Sequence, residues 1–286
     1  MTITITTSNV NGIRAAKRKG IEQWAAKNTP DVWCMQEVRA PQNEIDPIFD
    51  EFGFEYATAG RIADQSGLDR MNEICRIKGR AGVGLLSALP VIDKRYGLPG
   101  LAEDVDSGRW IEADVKTPQG YTVTVVCVYV HAGNTDDPEK MKQKYRFLDT
   151  MLVRMGQLRD EAAHGGKQAV LCGDFNIAHT PLDIKNAKAN EKHAGFLPEE
   201  RAYVDKWLGE LEFVDVMRSL CGDIQGPYTW WSQRGRAFDN NVGWRIDYQF
   251  ATPELAETAR GFVIDKAPTH DLRWSDHAPL SITYDV

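Results

Sequence analysis

Five short polar clusters are spread from one end of the 286-residue chain to the other. They are Asn9-Val10-Asn11, Gln36-Glu37, Gly173-Asp174-Phe175-Asn176, Arg245-Ile246-Asp247-Tyr248 and Ser275-Asp276-His277. Four of the clusters follow or interrupt short apolar runs that are typical of β-strands. Because strand ends at one sheet edge lie close together, we expect the acids, the amides and the histidine of these clusters to share one cleft. Such a set suits a hard metal ion, a general base and a shell of phosphate-binding groups.

Strand-like and helix-like patterns along the chain predict the elements that must position these clusters. The predicted strands are Thr2–Thr6, Asp31–Met35, Gly82–Ser87, Trp110–Val115, Tyr121–Val130, Gln168–Cys172, Ile246–Ala251 and Pro279–Tyr284. The predicted helices are Arg14–Lys27, Pro138–Ala163 and Glu199–Leu208. The polar stretch Gly60–Gly79 shows no strong periodicity of apolar residues and is predicted to be a long surface loop. Hairpins mixed with strand–helix–strand units indicate an α/β fold in which two mixed β-sheets pack together with helices outside.

The length suits one large α/β domain or two small ones, and the absence of a linker favours a single domain over residues 1–286. No stretch approaches the ~20 apolar residues that a membrane-spanning helix needs. The amino-terminal segment lacks the basic start and long apolar run of a signal peptide, so a cytoplasmic protein without membrane contact is expected. The five cysteines form no Cys-x-x-Cys pair and are interpreted as buried or free thiols in a reducing compartment.

The formal net charge of −7 argues mildly against a nucleic-acid partner. It does not settle the matter, because a site that gathers carboxylates for a metal adds negative charge while a basic rim can still bind phosphates. Basic residues cluster in three places: Arg14, Lys17, Arg18 and Lys19; Arg76, Lys78 and Arg80; and Arg234 and Arg236. Each cluster is equally well explained as a solvated surface.

Eight segments, in order along nearly the whole chain, resemble the exonuclease III-type apurinic/apyrimidinic endonucleases of the endonuclease/exonuclease/phosphatase superfamily. They are Ser8–Ala15, Gln36-Glu37, Gly82–Ser87, Val128–Val130, Gly173–His179, Ala194–Arg201, Asn240–Tyr248 and Ser275–Pro279. Each segment is a weak signal alone, and together in this order they are a strong one. The Gly195–Arg201 block and the Trp244 loop resemble the DNA-repair branch in particular. The resemblance implies a four-layered α/β sandwich with the site at one end of the two sheets.

The resemblance also implies a Mg²⁺ site in which Mn²⁺ can substitute. Glu37 is the best candidate ligand, because Mg²⁺ prefers carboxylate oxygen and needs only one or two protein carboxylates. Asp276 is a second candidate, either as a direct ligand or as a residue that supports a ligand without contacting the metal. The family has an acid where this chain has Asn11, which can ligate only through a neutral carbonyl or through water. A solvated strand-end acid explains Glu37 equally well when that residue is considered alone.

Asp174 is the candidate general base, because a carboxylate that leaves a buried strand can have a raised pKa. Asn176 can donate to the phosphate or orient the attacking water. His277 and Asp247 are expected to pair, so that Asp247 fixes the tautomer and favours an imidazolium that binds a phosphate oxygen. Tyr129 matches a family tyrosine near the phosphate. A simple Asx turn would explain the Gly-Asp-Phe-Asn segment if it stood alone.

Trp230, Trp244 and Ile246 match family positions that line an apolar pocket for a base-free sugar, although tryptophans are also common in protein cores. An abasic sugar lacks the bulk of a base, so a snug pocket can admit it and exclude intact nucleotides. Further candidate DNA contacts are Asn9, Arg14, Lys78, Arg80, Asn190 and Arg234. The expected partner is double-stranded DNA with abasic sites or 3′ ends, bound by a monomer that is nucleoid-associated if the source is bacterial.

Departures from the family pattern leave the balance of activities open. After Val130 the family usually has Pro-Asn or a similar polar pair, where this chain has His131-Ala132, and His193 stands where an asparagine is common. These changes leave open how the rate of incision 5′ to abasic sites compares with the rate at which nucleotides or blocking groups are removed from 3′ ends. One alternative is a superfamily phosphodiesterase acting on a non-DNA phosphate ester, against which the Trp244 loop argues. Another is a non-catalytic DNA-binding relative, which should have lost an acid or the histidine.

Overall fold

The structure is a computed structural model that describes residues 1–64, 67–104 and 106–286. Its strands are β1 (Thr2–Asn9), β2 (Val32–Gln36), β3 (Asp69–Glu73), β4 (Val83–Ser87), β5 (Val91–Tyr96), β6 (Trp110–Lys116), β7 (Thr122–Tyr129), β8 (Gln168–Asp174), β9 (Val214–Asp215), β10 (Trp230–Trp231), β11 (Gly243–Trp244), β12 (Asp247–Ala251), β13 (Ala259–Ile264) and β14 (Leu280–Asp285). Its α-helices are α1 (Ile13–Arg18), α2 (Ile21–Asn28), α3 (Gln42–Thr58), α4 (Pro138–Ala163), α5 (Ala187–Asn190), α6 (Pro198–Gly209), α7 (Val216–Cys221) and α8 (Pro253–Ala256).

Two six-stranded sheets pack against each other. The first has the strand order β13-β14-β1-β2-β4-β3, and the second has the order β5-β6-β7-β8-β12-β9. Each sheet contains one parallel pair, β1 with β2 and β7 with β8, among antiparallel neighbours. Strands β10 and β11 form a separate two-stranded ribbon. Because the carboxyl ends of parallel strands point the same way, each parallel pair delivers two chain segments to one edge of its sheet.

Apolar side chains fill the space between the sheets and both outer interfaces. The interior of the sandwich includes Ile5, Cys34, Leu85, Val125 and Cys172. Helices α4 and α6 cover the second sheet through Phe147, Met151 and Trp207. Helices α1, α2 and α3 cover the first sheet through Ile13, Trp24, Phe49 and Phe52. The resulting order of helices, sheet, sheet and helices confirms the predicted four-layered α/β sandwich. None of the helices in the described part of the chain is long and apolar enough to cross a membrane.

Several predicted elements are confirmed closely. Helix α4 begins at Pro138 and ends at Ala163, as predicted, and the side chain of Asp137 caps it by accepting from the backbone N–H of Lys140. The predicted hairpin is β6 with β7. Proline suits the first turn of a helix because the backbone N–H that it lacks has no partner within the helix.

Other predictions were wrong or incomplete. The predicted loop Gly60–Gly79 contains the edge strand β3. The alternation of apolar and polar residues that is typical of a strand is missing there, because the buried face includes the acid Glu73. Burial of that acid is possible because its carboxylate accepts two backbone N–H groups of the neighbouring segment 109–110. The predicted helix Arg14–Lys27 is two helices, separated at Gly20 with φ of +98°. Helix α3 was not predicted, because Pro47 interrupts its pattern of good helix formers.

Candidate active site

The polar clusters meet at one edge of the sandwich. Asn9 and Gln36 are partners at the carboxyl ends of β1 and β2, and Tyr129 and Asp174 are partners at the carboxyl ends of β7 and β8. Asp247 begins β12 directly opposite Asp174. The side-chain amide of Asn9 donates to Oδ2 of Asp174 at 2.9 Å and thereby joins the first sheet to the second. The topology therefore brings together residues that are far apart in the sequence.

Asp174 lies at the centre of this site and is only 1% exposed. Its Oδ1 accepts from the backbone N–H of Asn176 at 2.9 Å, and its Oδ2 accepts from Asn9. Burial is the main cause that raises the pKa of Asp174 to about 7; His277 opposes the rise and Asp247 adds to it. A carboxylate with such a pKa can accept a proton near neutral pH.

His277 faces Asp174 and is held by Asp247. Its Nε2 lies 3.8 Å from Oδ2 of Asp174, and its Nδ1 lies 2.9 Å from Oδ2 of Asp247. Burial alone lowers the pKa of an imidazole, but the charges of Asp247, Asp174 and Asp276 outweigh this effect and raise the pKa of His277 to about 10. His277 is therefore a cation at neutral pH, with Nδ1–H directed to Asp247 and Nε2–H turned toward the centre of the site.

Each predicted metal ligand has a hydrogen-bond partner at the site. The hydroxyl of Tyr129 donates to Oε1 of Glu37 at 2.5 Å, and Oε2 of Glu37 forms an ion pair with Arg39. The amide of Asn11 donates to Oδ1 of Asp276 at 2.8 Å. Burial and the charge of Glu37 raise the pKa of Tyr129 above its usual value, so this residue remains a neutral donor.

Three of the polar residues have a left-handed backbone. The φ angle is +45° at Asn11, +55° at Glu37 and +50° at Asn176. Residues other than glycine rarely adopt this conformation, and where they do the strain concentrates at binding and catalytic sites. The turns after β1, β2 and β8 thus place these side chains at a cost to local backbone stability.

Another set of groups is also close enough to hold a metal ion. Ligand atoms of Asp174, Asp247 and His277 lie within 4.8 Å of one another, and the buried Oδ1 of Asp247 has no hydrogen-bond partner among the residues that the structure describes. The Nδ1 of His277 is already engaged by Asp247, so this residue could reach a metal ion only through Nε2. Carboxylate and amide oxygens, supplied both by these aspartates and by the predicted ligands, are preferred by hard divalent cations. The donor chemistry of the site therefore fits such a cation.

A cavity of about 380 Å³ adjoins the site. Its lining includes four of the predicted substrate-binding residues, Trp230, Trp244, Asn190 and Arg234. The two indole rings meet edge to face with centroids 5.9 Å apart, and Nε1 of Trp230 donates to Oδ2 of Asp276 at 3.2 Å. Ile246 does not line the cavity but packs in a buried apolar cluster behind the rings.

A second cavity of about 310 Å³ lies beside Tyr129 and is rich in positive charge. Its basic residues are Arg76, Arg80, Arg109 and Lys140. The guanidinium of Arg109 lies 4.8 Å from the centre of the Tyr129 ring. In the described part of the chain no carboxylate forms an ion pair with Arg76, Arg80 or Arg109. The lining also includes the carboxylate of Asp106, but the basic side chains outnumber it, so this surface is suited to bind an anion.

Sequence reasoning missed three residues that contact the site. They are Arg39, Arg109 and Lys144. Arg39 and Arg109 carry no signal of their own, because half-buried arginines are common at protein surfaces. Lys144 does carry one: it precedes Phe147 and Leu148 by three and four residues, so it lies on the apolar face of α4, where a lysine is unusual.

Comparison with known proteins agrees with this geometry. A model described as the endonuclease/exonuclease/phosphatase family matches residues 6–277. An exodeoxyribonuclease of Bacillus subtilis (strain 168) is 29% identical over 279 residues, which cover 97% of this chain and 98% of that protein. An AP endonuclease structure from Archaeoglobus fulgidus has 30% identity and a TM-score of 0.81, covering 99% of this chain and 100% of that one. The 3′ phosphatase NExo from Neisseria, bound to a product DNA hairpin, has 27% identity and a TM-score of 0.79 with the same coverage. The chain therefore belongs to the endonuclease/exonuclease/phosphatase family, in the branch of the exonuclease III-type apurinic/apyrimidinic endonucleases.

Proposed function

We propose that this protein is a Mg²⁺-dependent DNA repair phosphodiesterase that cleaves the backbone 5′ to abasic sites and removes nucleotides or blocking groups from 3′ ends. The observation that carries the proposal is a buried Asp174, with a pKa of about 7, set between two amides and the cationic His277. Similar proteins support the substrate class, since they are described as an exodeoxyribonuclease, an AP endonuclease and a 3′ phosphatase bound to DNA.

Each polar residue has a role that follows from its contacts. Asp174 accepts the proton of the attacking water. His277, oriented by Asp247, donates from Nε2 to a phosphate oxygen and offsets the charge that develops there. One N–H of the Asn176 amide donates to the carbonyl of Val130 at 3.0 Å, which fixes the amide and leaves its other N–H for the phosphate.

A divalent cation would be held by Glu37, Asp276 and the carbonyl oxygen of Asn11. When bound, Mg²⁺ or Mn²⁺ neutralises charge on the phosphate and stabilises the leaving oxygen. Tyr129 keeps Glu37 in place through its hydroxyl.

The two cavities supply the substrate contacts. The tryptophan cavity takes the flipped abasic sugar, because its apolar walls admit a sugar without a base. Asn190 and Arg234 contact the adjoining backbone, while Arg80 and its basic neighbours bind phosphates of the strand in the second cavity. We further propose that the protein acts as a monomer in a reducing compartment, the cytoplasm, which its unpaired thiols suit.

The decisive experiment is a Mg²⁺-dependent incision assay on a duplex with one abasic site, run beside a duplex with recessed 3′ ends. We expect cleavage of both substrates. Failure on both, together with hydrolysis of sphingomyelin or an inositol phosphate, would assign the site to a non-DNA phosphate ester instead.

A further inference from the structure

A lysine and a glutamate are fully buried directly behind the site. The side chains of Lys144 in α4 and Glu200 in α6 are both 0% exposed, and Nζ of Lys144 lies 2.6 Å from Oε1 of Glu200. A buried ion pair rarely adds stability, because removing two charges from water offsets their attraction, and an apolar pair of similar volume is often at least as stable. Stability alone therefore does not explain these two residues.

Lys144 joins two loops that carry residues of the site. Its Nζ donates to the carbonyl of Ala132 at 3.1 Å, in the loop after β7, and to the carbonyl of Asn176 at 2.9 Å, in the loop after β8. The ammonium also forms the ion pair with Glu200, so its charge is balanced within the buried space. The backbone N–H of Asn176 donates to Asp174, and the backbone carbonyl of the same left-handed residue accepts from Lys144.

Glu200 extends this connection to the tryptophan cavity. Its Oε2 accepts from the backbone N–H groups of Gly195 at 2.6 Å and Leu197 at 3.0 Å. Gly195 has φ of +94°, and a Cβ added there would lie 3.0 Å from Cζ3 of Trp244. The turn that Glu200 holds therefore packs directly against the Trp244 ring.

We propose that Lys144 and Glu200 are positioning residues for the proposed reaction. Their ion pair fixes three loops relative to one another, and so sets the amide of Asn176 and the ring of Trp244 against the scissile phosphate. An ammonium suits this task because it can donate at once to a carboxylate and to two carbonyls within a buried space. The inference rests on the proposed function, because the substrate toward which Asn176 and Trp244 are positioned is a phosphodiester.

The double variant K144M/E200Q tests the proposal. Methionine fills the volume of the lysine without donating to the two carbonyls, and glutamine keeps an oxygen for the backbone N–H groups that Glu200 serves. We expect a melting temperature at or above that of the wild type, because no buried charge remains. We expect kcat to fall about 10- to 100-fold with KM within about threefold, because a displacement of ~1 Å in positioning groups can cost about 100-fold.

Matched controls come from the exposed neighbours of both residues on the same helices. Lys142→Met and Glu199→Gln should retain the wild-type kcat. A second readout is the NMR signals of the Asn176 side-chain amide and the Trp244 indole N–H, neither of which is hydrogen-bonded to Lys144 or Glu200 and both of which should shift in K144M/E200Q and not in the controls. Unshifted signals, or a folded double variant with wild-type kcat, would overturn the proposal.

A variant that fails to fold does not end the test. Glu200→Gln alone removes the negative charge and keeps one oxygen for the backbone N–H groups of Gly195 and Leu197, while an NH2 group replaces the oxygen that faces Lys144. We expect at least a threefold loss of kcat, and a smaller loss in this folded variant counts against the proposal. Absence of DNA hydrolysis by the wild-type protein would instead count against the proposed function, and the NMR signals would then decide the positioning role by themselves.

Discussion

At the scale of single residues, the site depends on two neighbouring groups whose pKa values are both raised. Asp174 has a pKa of about 7 and His277 has one of about 10. Between these values Asp174 is ionised and can accept a proton, while His277 is still protonated and can stabilise an anion. Asp247 makes this window possible, because its charge is the main cause that raises the pKa of His277 against the effect of burial.

This arrangement predicts a bell-shaped dependence of kcat/KM on pH. The rate should rise through about pH 7 as Asp174 loses its proton, and fall through about pH 10 as His277 loses its own. In Asp247→Asn the alkaline limb should move to lower pH, because the charge that holds the proton on His277 is gone. The measurement is incision of an abasic duplex under single-turnover conditions across this range. A profile that stays flat through neutrality would exclude Asp174 as the base.

Replacement of either group should affect turnover more than binding. We expect Asp174→Asn and His277→Ala each to lower kcat by at least ~100-fold, the size typical for loss of a general base or a charge-stabilising donor. DNA affinity, measured by fluorescence anisotropy, should survive. Exposed residues of the same types provide the controls Asp271→Asn and His164→Ala. Wild-type turnover in Asp174→Asn or His277→Ala would remove that residue from the mechanism.

The oxygen donors predict the response to metals. EDTA should abolish activity, and Mg²⁺ or Mn²⁺ should restore it, because carboxylate and amide oxygens favour hard cations. Glu37→Ala should raise the Mg²⁺ concentration needed for half-maximal rate, and the exposed Glu254→Ala should not. Restoration by Zn²⁺ alone would contradict the assignment.

At the scale of elements, the sequence best predicts helices and strands whose local pattern of apolar and polar residues is regular. Helix α4 was predicted to the residue because its apolar spacing is regular and its start carries a proline after a capping aspartate. The edge strand β3 was missed because tertiary contacts, not alternation, satisfy its buried Glu73. In the site, the pairing of His277 with Asp247 was predicted, whereas Arg39 contacts Glu37 through a turn geometry that no local pattern specifies.

The ribbon of β10 and β11 predicts a difference between substrates. It carries both tryptophans of the cavity, so Trp244→Ala should lower incision at abasic sites more than digestion of recessed 3′ ends. Loss of one aromatic contact should cost roughly 1–3 kcal/mol of binding to the flipped sugar. Both activities should be measured in one preparation, with the buried Trp207→Phe as a control for loss of an indole from the core. Equal losses on both substrates would make Trp244 a core or general DNA contact.

At the scale of the whole molecule, the net charge and the local charge have opposite signs. The chain carries −7, yet the second cavity gathers arginines that have no carboxylate partner among the described residues. A phosphate that binds Arg76, Arg80 or Arg109 there need not break an ion pair of the described residues, although Lys140 in the same cavity is paired with Asp137. The excess of acids elsewhere should repel DNA from other faces and favour this orientation.

Salt dependence can test this distribution of charge. Each phosphate neutralised by an arginine releases counterions, so the logarithm of the association constant should fall linearly with the logarithm of salt concentration. Arg80→Ala should weaken binding and reduce that slope by about 1, because it removes one phosphate contact. Arg260→Ala is the control, since Arg260 is exposed but already ion-paired with Asp285. An unchanged slope for Arg80→Ala would place the DNA elsewhere, whereas equal reductions in both variants would indicate binding by overall charge rather than by the cavity beside Tyr129.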